Sequence, residues 1–324
     1  MTTRRTFLKN TGLAYGALAG LARAQAPAIS MVQTPLLNIG YHDNGSRQGF
    51  PIILLHGFPD DARAFDGVVP PLVRAGHRVL VPYLRGYGPT RFRDPKAPRM
   101  GEQAAIGQDV IDLADALKLQ RFAVGGFDWG GRAAGIAAAL HPDRVRAAVL
   151  AGGYPIQDAY AKPEPAAPET EYPLWYQWYF QTERGRAGLA ANRYNFCRLL
   201  WKLWSPTWKF TEETYKRTAA SFDNPDFVDV VIHSYRHRHG NAPGEPRFEA
   251  VERQLSKSPK ITVPTIILAG ADDGIRRPPQ DSPSDRSLFP ALKARHVLAG
   301  VGHFVPREAP EVFAKALLEL LAGG

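Results

Sequence analysis

Gly125-Gly126-Phe127-Asp128-Trp129-Gly130-Gly131 stands between a short apolar run, Phe122-Ala123-Val124, and a helical pattern from Arg132 to Leu140. A side chain presented at a strand-to-helix turn this short needs strained backbone angles. Its neighbours two before and two after must be small, because strand and helix backbones pack closely there. Gly126, Gly130 and Gly131 meet that demand and leave Asp128 at the apex. By itself the heptapeptide also suits a phosphate cradle at a helix N-terminus. No Gly-x-Ser-x-Gly occurs anywhere in the chain, which argues against an ordinary serine esterase.

Working outward, buried strand-like runs alternate with helical patterns. Pro51–Leu55, His77–Tyr83, Phe122–Val124 and Val145–Leu150 read as strands, and Ala62–Ala75, Glu102–Leu117 and Arg132–Leu140 as helices. This alternation predicts an α/β fold with a mostly parallel sheet flanked by helices. The pattern breaks near Gly153. Residues 154–255 lack strand-like runs and hold five of the six tryptophans and eight of the twelve tyrosines. It resumes at Thr262–Ala269 and His296–Leu298, and ends in a helix, Glu311–Leu321. The expected organisation is a core over 27–153 and 256–324 with an inserted helical cap over 154–255.

Other loops complete a constellation. His56-Gly57-Phe58-Pro59 follows an earlier strand, so the backbone N–H groups of Phe58 and Trp129 are expected to point at one spot, as an oxyanion hole requires. Asp272-Asp273 ends a later strand, and Gly302-His303-Phe304 lies between the last strand and the last helix. The order is nucleophile, acid, histidine, with Asp273 preferred over Asp272 as the partner of His303. A carboxylate is ionised at neutral pH and needs no base to activate it. Asp128 can attack a saturated carbon carrying a leaving group. Water activated by His303 would then cleave the resulting ester at the Asp128 carbonyl.

His56-Gly57-Phe58-Pro59, Arg85-Gly86-Tyr87-Gly88, Gly126-Phe127-Asp128-Trp129-Gly130-Gly131 and Gly302-His303 together resemble the epoxide hydrolase and haloalkane dehalogenase branch of the α/β-hydrolase superfamily. The resemblance implies an α/β-hydrolase fold and a hydrolase acting on small apolar epoxides, or on haloalkanes or haloacids with the same triad. A non-catalytic ligand-binding protein on this fold is the alternative from another class. Epoxide opening in that branch uses two cap tyrosine hydroxyls as donors to the leaving oxygen. Trp175-Tyr176-Gln177-Trp178-Tyr179 and Ser234-Tyr235-Arg236 resemble the two segments and give Tyr176 and Tyr235, with Tyr179 and Tyr172 as rivals. Packing aromatics in a helical lid would produce the same pattern. Trp129, Trp175, Trp178 and Tyr179 are expected to line the substrate site. Arg85-Gly86-Tyr87-Gly88 reads as a structural loop.

The 324 residues are 44% hydrophobic and 22% charged, which excludes a disordered chain. A single cysteine, Cys197, excludes an internal disulfide framework and reads as a packing residue. Thr3-Arg4-Arg5-Thr6-Phe7-Leu8-Lys9, a short apolar run and Ala22-Arg23-Ala24-Gln25-Ala26 read as a twin-arginine export signal over 1–26, cut after Ala24 or Ala26. The expected location is therefore the periplasm or the exterior. Cleavage lowers the formal charge from +9 by four, to +5, with no basic block suited to nucleic acid. No cofactor motif is visible. His233, His237 and His239, interleaved with Arg236 and Arg238, read as a solvated basic face rather than a metal site.

Overall fold

The computed structural model describes residues 28–162, 164–276 and 282–323; the expected export signal over 1–26 lies outside the described residues. Among the described residues nine strands form one sheet: β1 (Ile29–Gln33), β2 (Leu37–Asn44), β3 (Pro51–Leu55), β4 (Arg78–Pro82), β5 (Arg91–Phe92), β6 (Phe122–Phe127), β7 (Val145–Ala151), β8 (Thr265–Gly270) and β9 (Leu292–Leu298). Their order is β1-β2-β4-β3-β6-β7-β8-β9, with β5 paired to β2. From β4 to β9 every pair is parallel, whereas β2 runs antiparallel to β1, β4 and β5. The central strands are buried end to end, which explains their near-continuous apolar runs.

Two helix layers cover the sheet. One pairs α2 (Gln103–Ala116) with α3 (Asp128–Leu140), after the short α1 (Val69–Arg74) has joined the other. Between β7 and β8 the chain is helical: α4 (Pro168–Glu171), α5 (Trp175–Tyr179), α6 (Glu183–Trp204), α7 (Glu212–Ala219), α8 (Phe227–Arg238) and α9 (Glu249–Leu255). It returns through α10 (Pro283–Leu288), α11 (Val305–Glu308) and α12 (Pro310–Ala322), which packs on α1, β7 and β8. Among the described residues no helix is long and apolar enough to cross a membrane.

Long α6 is fixed by sequence chemistry. Thr182 caps it, accepting from the Gly185 N–H at 3.0 Å. Leu189, Cys197, Leu200, Trp201 and Trp204 recur at helical spacing and are all buried. Trp201 donates its indole N–H to the Pro59 carbonyl at 2.7 Å, tying the helix to the core. A second tie is ionic. Asp61 accepts from Ser221 Oγ at 2.6 Å, beside an Asp60–Arg307 pair. Arg85 is buried against Asp109 at 2.7 Å and also bonds the Met100 and Ala105 carbonyls, so its loop is structural.

Five elements differ from the sequence reading. β1, β2 and β5 are not among the expected strands; β1 alternates exposed and half-buried residues, β2 is mostly buried but of mixed polarity, and β5 is two residues long. The expected helix 62–75 divides into a single 3-10 turn, Ala62–Phe65, and α1, which begins next to Pro70-Pro71. Helix α3 begins at Asp128 itself rather than at Arg132.

Asp128 has φ +51°, a left-handed value that costs a non-glycine residue roughly 1–3 kcal/mol. Close backbone contact holds it there. A Cβ on Gly130 would lie 2.0 Å from the Leu55 carbonyl oxygen, and one on Gly126 would lie 2.4 Å from that of Gly130. Gly131 is less constrained, at 3.3 Å. We therefore expect Gly130→Ala to lower stability by about 2–4 kcal/mol, read as a fall in Tm, and Gly131→Ala to cost under about 1.5 kcal/mol. Equal Tm values would contradict this account of the turn.

Candidate active site

From β3 the chain moves outward to β4, then crosses back to place β6 on the other side of β3. At such a reversal the loops leaving the two strands splay apart and open a crevice at their carboxyl ends. The loop after β3 carries Phe58, and the turn after β6 carries Asp128. The Phe58 N–H donates to Asp128 Oδ1 at 2.8 Å.

The other members arrive from the far strands. His303 Nδ1 lies 2.8 Å from Asp273 Oδ2, and His303 Nε2 lies 3.6 Å from Asp128 Oδ2. Asp273 Oδ1 accepts from the Ile275 N–H at 2.8 Å, which fixes its orientation. Asp272 instead accepts from the Gly300 N–H at 2.9 Å, clipping two loops together. The geometry thus separates the two neighbouring acids.

Both loops are fastened to the end of α6. The Trp204 carbonyl accepts from the N–H of Gly274 at 2.9 Å and of His303 at 3.1 Å. Ser205 Oγ also accepts from the His303 N–H at 2.8 Å and donates to Glu308. Helix-end carbonyls otherwise left without partners therefore position the acid and histidine loops.

The electrostatics follow from burial and pairing. Burial alone would raise the Asp128 carboxyl. The hydrogen bond and charge of His303, with the Trp129 N–H, outweigh it and hold the group below its ordinary value. Burial likewise opposes a charged His303, but Asp273 and Asp128 overcome it and push its value up to about 10. The resting pair is carboxylate and imidazolium.

Tyr176 and Tyr235 come together over this site. Both are buried, their ring centroids lie 5.4 Å apart, and Tyr235 packs 5.3 Å from Trp129 and 5.6 Å from Phe58. Burial, then each other's proximity or the Asp128 charge, raises both phenols, so they stay protonated. Tyr176 Oη accepts from Gln177 Nε2 at 3.0 Å. Tyr235 Oη, Trp129 Nε1 and Trp204 Nε1 are buried without a hydrogen-bond partner. Each such group costs about 1–3 kcal/mol, and the charge of Asp128 acts on both the Tyr176 and Tyr235 phenols. A cavity of about 230 Å³ lined by Asp128, Tyr154, Asp273, Arg276, Arg295 and His303 opens beside it.

Some expected lining residues stand elsewhere. Trp178 is 44% exposed, donates to Glu171 at 3.0 Å and packs on His239. Tyr179 turns its hydroxyl toward Gly188 on α6, and Trp175 packs behind Tyr176 against Phe196. These three form an outer cap layer, because the inner positions of α5 are taken by Tyr176 and Gln177. The rival Tyr172 is 79% exposed. Trp204, which no local motif marks, takes the inner place, 5.1 Å from the His303 ring. The histidines are not a solvated face either: His233 accepts from the Gly101 N–H at 2.9 Å and its Nε2 lies 2.9 Å from the Pro243 carbonyl oxygen.

Comparison with known proteins agrees with this architecture. The sequence pattern of a family described as alpha/beta hydrolase fold matches residues 51–310. A curated epoxide hydrolase of Caballeronia sordidicola is 26% identical over 87% of this chain and 91% of its own length. A haloalkane dehalogenase of Mycolicibacterium paratuberculosis is also 26% identical, over 87% of both chains. A solved Klebsiella pneumoniae structure, provisionally described as an epoxide hydrolase, is 42% identical, with a TM-score of 0.87 over 90% of this chain and 96% of that one.

Proposed function

The chain belongs to the α/β-hydrolase family and is an epoxide hydrolase-like enzyme, and from that premise we propose that it opens epoxides with water through an ester on Asp128. The observation that carries this reading is the pair of protonated tyrosines above Asp128, one with its hydroxyl unpartnered. An epoxide oxygen departs as an alkoxide, a poor leaving group, and it needs O–H donors. Tyr176 and Tyr235 supply them.

Phe58 holds Asp128 Oδ1, so Oδ2 is the attacking atom. It forms a bond to a ring carbon as the carbon–oxygen bond of the epoxide breaks, and a tyrosine proton passes to the oxygen released. Neutral His303, oriented by Asp273, then takes a proton from water. The hydroxide adds to Cγ of Asp128, and the negative charge develops on Oδ1 between the N–H groups of Phe58 and Trp129. Collapse expels the diol oxygen, which takes the proton back from His303, and the proton left on the Asp128 carboxyl returns to the tyrosinate, which regenerates both carboxylate and phenol.

The test compares styrene oxide with a bromoalkane, measuring diol and free bromide. We expect diol from the wild type, and a fall of about 10- to 100-fold in kcat for Tyr235→Phe and Tyr176→Phe on the epoxide. Bromide without diol would reject epoxide opening. One observation favours that second reading: the indole N–H groups of Trp129 and Trp204 are both buried and unpartnered, and a departing halide needs only weak donors of this kind. The tyrosine substitutions would then leave bromide release nearly unchanged.

A further inference from the structure

Tyr176, Gln177 and His239 form a chain of hydrogen bonds that runs from the site to the end of α8. Gln177 is buried. Its Nε2 donates to Tyr176 Oη at 3.0 Å, and its other end, Oε1, lies 3.0 Å from His239 Nε2. His239 is half-buried, with its ring 4.6 Å from that of Trp178. Burial, then the Arg238 charge, lowers its imidazole to about 4. Near neutral pH the ring is therefore uncharged, and one of its nitrogens carries a proton. Gln181 braces the chain. Its Nε2 donates to the Gln177 carbonyl at 2.8 Å and to the Tyr235 carbonyl at 3.2 Å, which ties α5 to α8. Among the described residues the Tyr235 hydroxyl has no such donor behind it.

Such a chain has two senses. With Gln177 reversed, its Oε1 would take the Tyr176 proton, and that hydroxyl would have nothing to give a substrate. In the observed sense the donors point inward, from His239 Nε2–H to Gln177 Oε1 and from Gln177 Nε2–H to Tyr176 Oη. The Asp128 charge acts on Tyr176 and favours this sense, because an amide in a negative field turns its N–H end toward the charge. The Tyr176 proton is then free.

We propose that Gln177 and His239 are positioning residues that make Tyr176, rather than Tyr235, the tyrosine that gives up its proton. The inference deepens the epoxide-opening reading and rests on it. As the carbon–oxygen bond of the epoxide breaks, the Tyr176 O–H bond breaks with it, and the proton passes to the released oxygen. The charge left on Tyr176 Oη meets the Gln177 N–H, a hydrogen bond that strengthens when its acceptor becomes an anion. That bond is stronger in the transition state than in the ground state, which is the condition for raising kcat rather than lowering KM. His239 keeps the amide from turning over. The proton that returns from the Asp128 carboxyl to Tyr176 resets the chain.

The experiment measures ester formation from styrene oxide in single turnovers, with steady-state kcat and KM alongside, for Gln177→Met and His239→Phe. The first keeps the side-chain length without a donor. The second keeps a ring against Trp178 without the N–H. We expect each to slow ester formation by about 5- to 20-fold, with KM changed by less than about twofold. His239→Gln, which puts an amide N–H where the imidazole N–H was, is expected to recover most of the loss. Gln177→Met should keep its effect in a Tyr235→Phe background and lose it in a Tyr176→Phe background. An equal loss in both backgrounds, or no loss at all, overturns the relay while leaving epoxide opening intact. Should Gln177→Met fail to fold, His239→Phe at the half-buried end of α8 carries the same comparison. If styrene oxide yields no diol, epoxide opening itself fails. The relay is then judged by nitrogen NMR of protein labelled in its histidines, with the His239 signals identified by their loss in His239→Phe. A proton on Nε2 that is redistributed in Gln177→Met supports the relay, and a proton on Nδ1 in the wild type overturns it.

Discussion

Asp128→Ala lowers styrene oxide turnover by at least about 10⁴-fold in the expected result, with Tm at or above the wild-type value. Removing the carboxylate removes the atom that forms the first bond, and no other acid can replace it. Asp273 is held by His303 and the Ile275 N–H, and Asp272 by the Gly300 N–H. The substitution also removes an ion-pair partner of His303, but it relieves a buried charge. An isotope measurement gives the same proposition a second check. In one turnover in heavy-oxygen water the label enters the Asp128 carboxylate and not the diol, because water attacks Cγ and the diol keeps the original Asp128 oxygen. Label found in the diol with none in the Asp128 peptide would mean direct attack by water on the epoxide, and the covalent route would be wrong.

His303→Gln is expected to stop the cycle halfway. The first step needs only the carboxylate and the tyrosines, so one equivalent of epoxide is consumed in a burst and the ester accumulates, visible as an intact-mass adduct on Asp128. Steady-state turnover falls by about 10³- to 10⁴-fold. The same dependence gives the wild type a pH profile of defined sign. The free-enzyme value of about 10 for His303 is held up by Asp273 and by Asp128, against burial. Esterification removes the Asp128 charge, so the value falls in the intermediate. Below that lowered value the imidazole is protonated and cannot take a proton from water. kcat should therefore rise tenfold per pH unit on its acid side and level off below about pH 10, with ester accumulating at low pH. Loss of turnover in His303→Gln without any adduct would instead favour a histidine acting before the first bond forms.

How far the sequence could be read depended on whether a role was local. Asp128, His303 and Phe58 each sit in a short loop with small neighbours, and that chemistry is visible in a few letters. The central strands were readable because both faces are buried and their apolar runs are unbroken. Strand β1 escaped because its alternate residues meet water, β2 because Asn38, Gly40 and His42 break its apolar run, and β5 because it is only two residues long. Trp204 escaped for another reason. It is one aromatic among many in the cap, and only the folding of α6 against the acid and histidine loops gives it a place in the site. The outer positions of Trp175 and Trp178 were hidden likewise: on a helix of five residues, Trp175–Tyr179, sequence does not say which side faces in.

The shared Trp204 carbonyl has a consequence for protein engineering. Exchanging the residue 154–255 region for that of another hydrolase is a direct way to change substrate range. Yet the last turn of α6 is also the scaffold on which the Gly274 and His303 backbones hang, so a transplant that shifts this turn by an ångström would misalign the proton-transfer apparatus along with the pocket. Workable chimaeras should keep Trp204 and Ser205 with the recipient and place the splice before them, making the joint, rather than the donor's specificity, the thing to design.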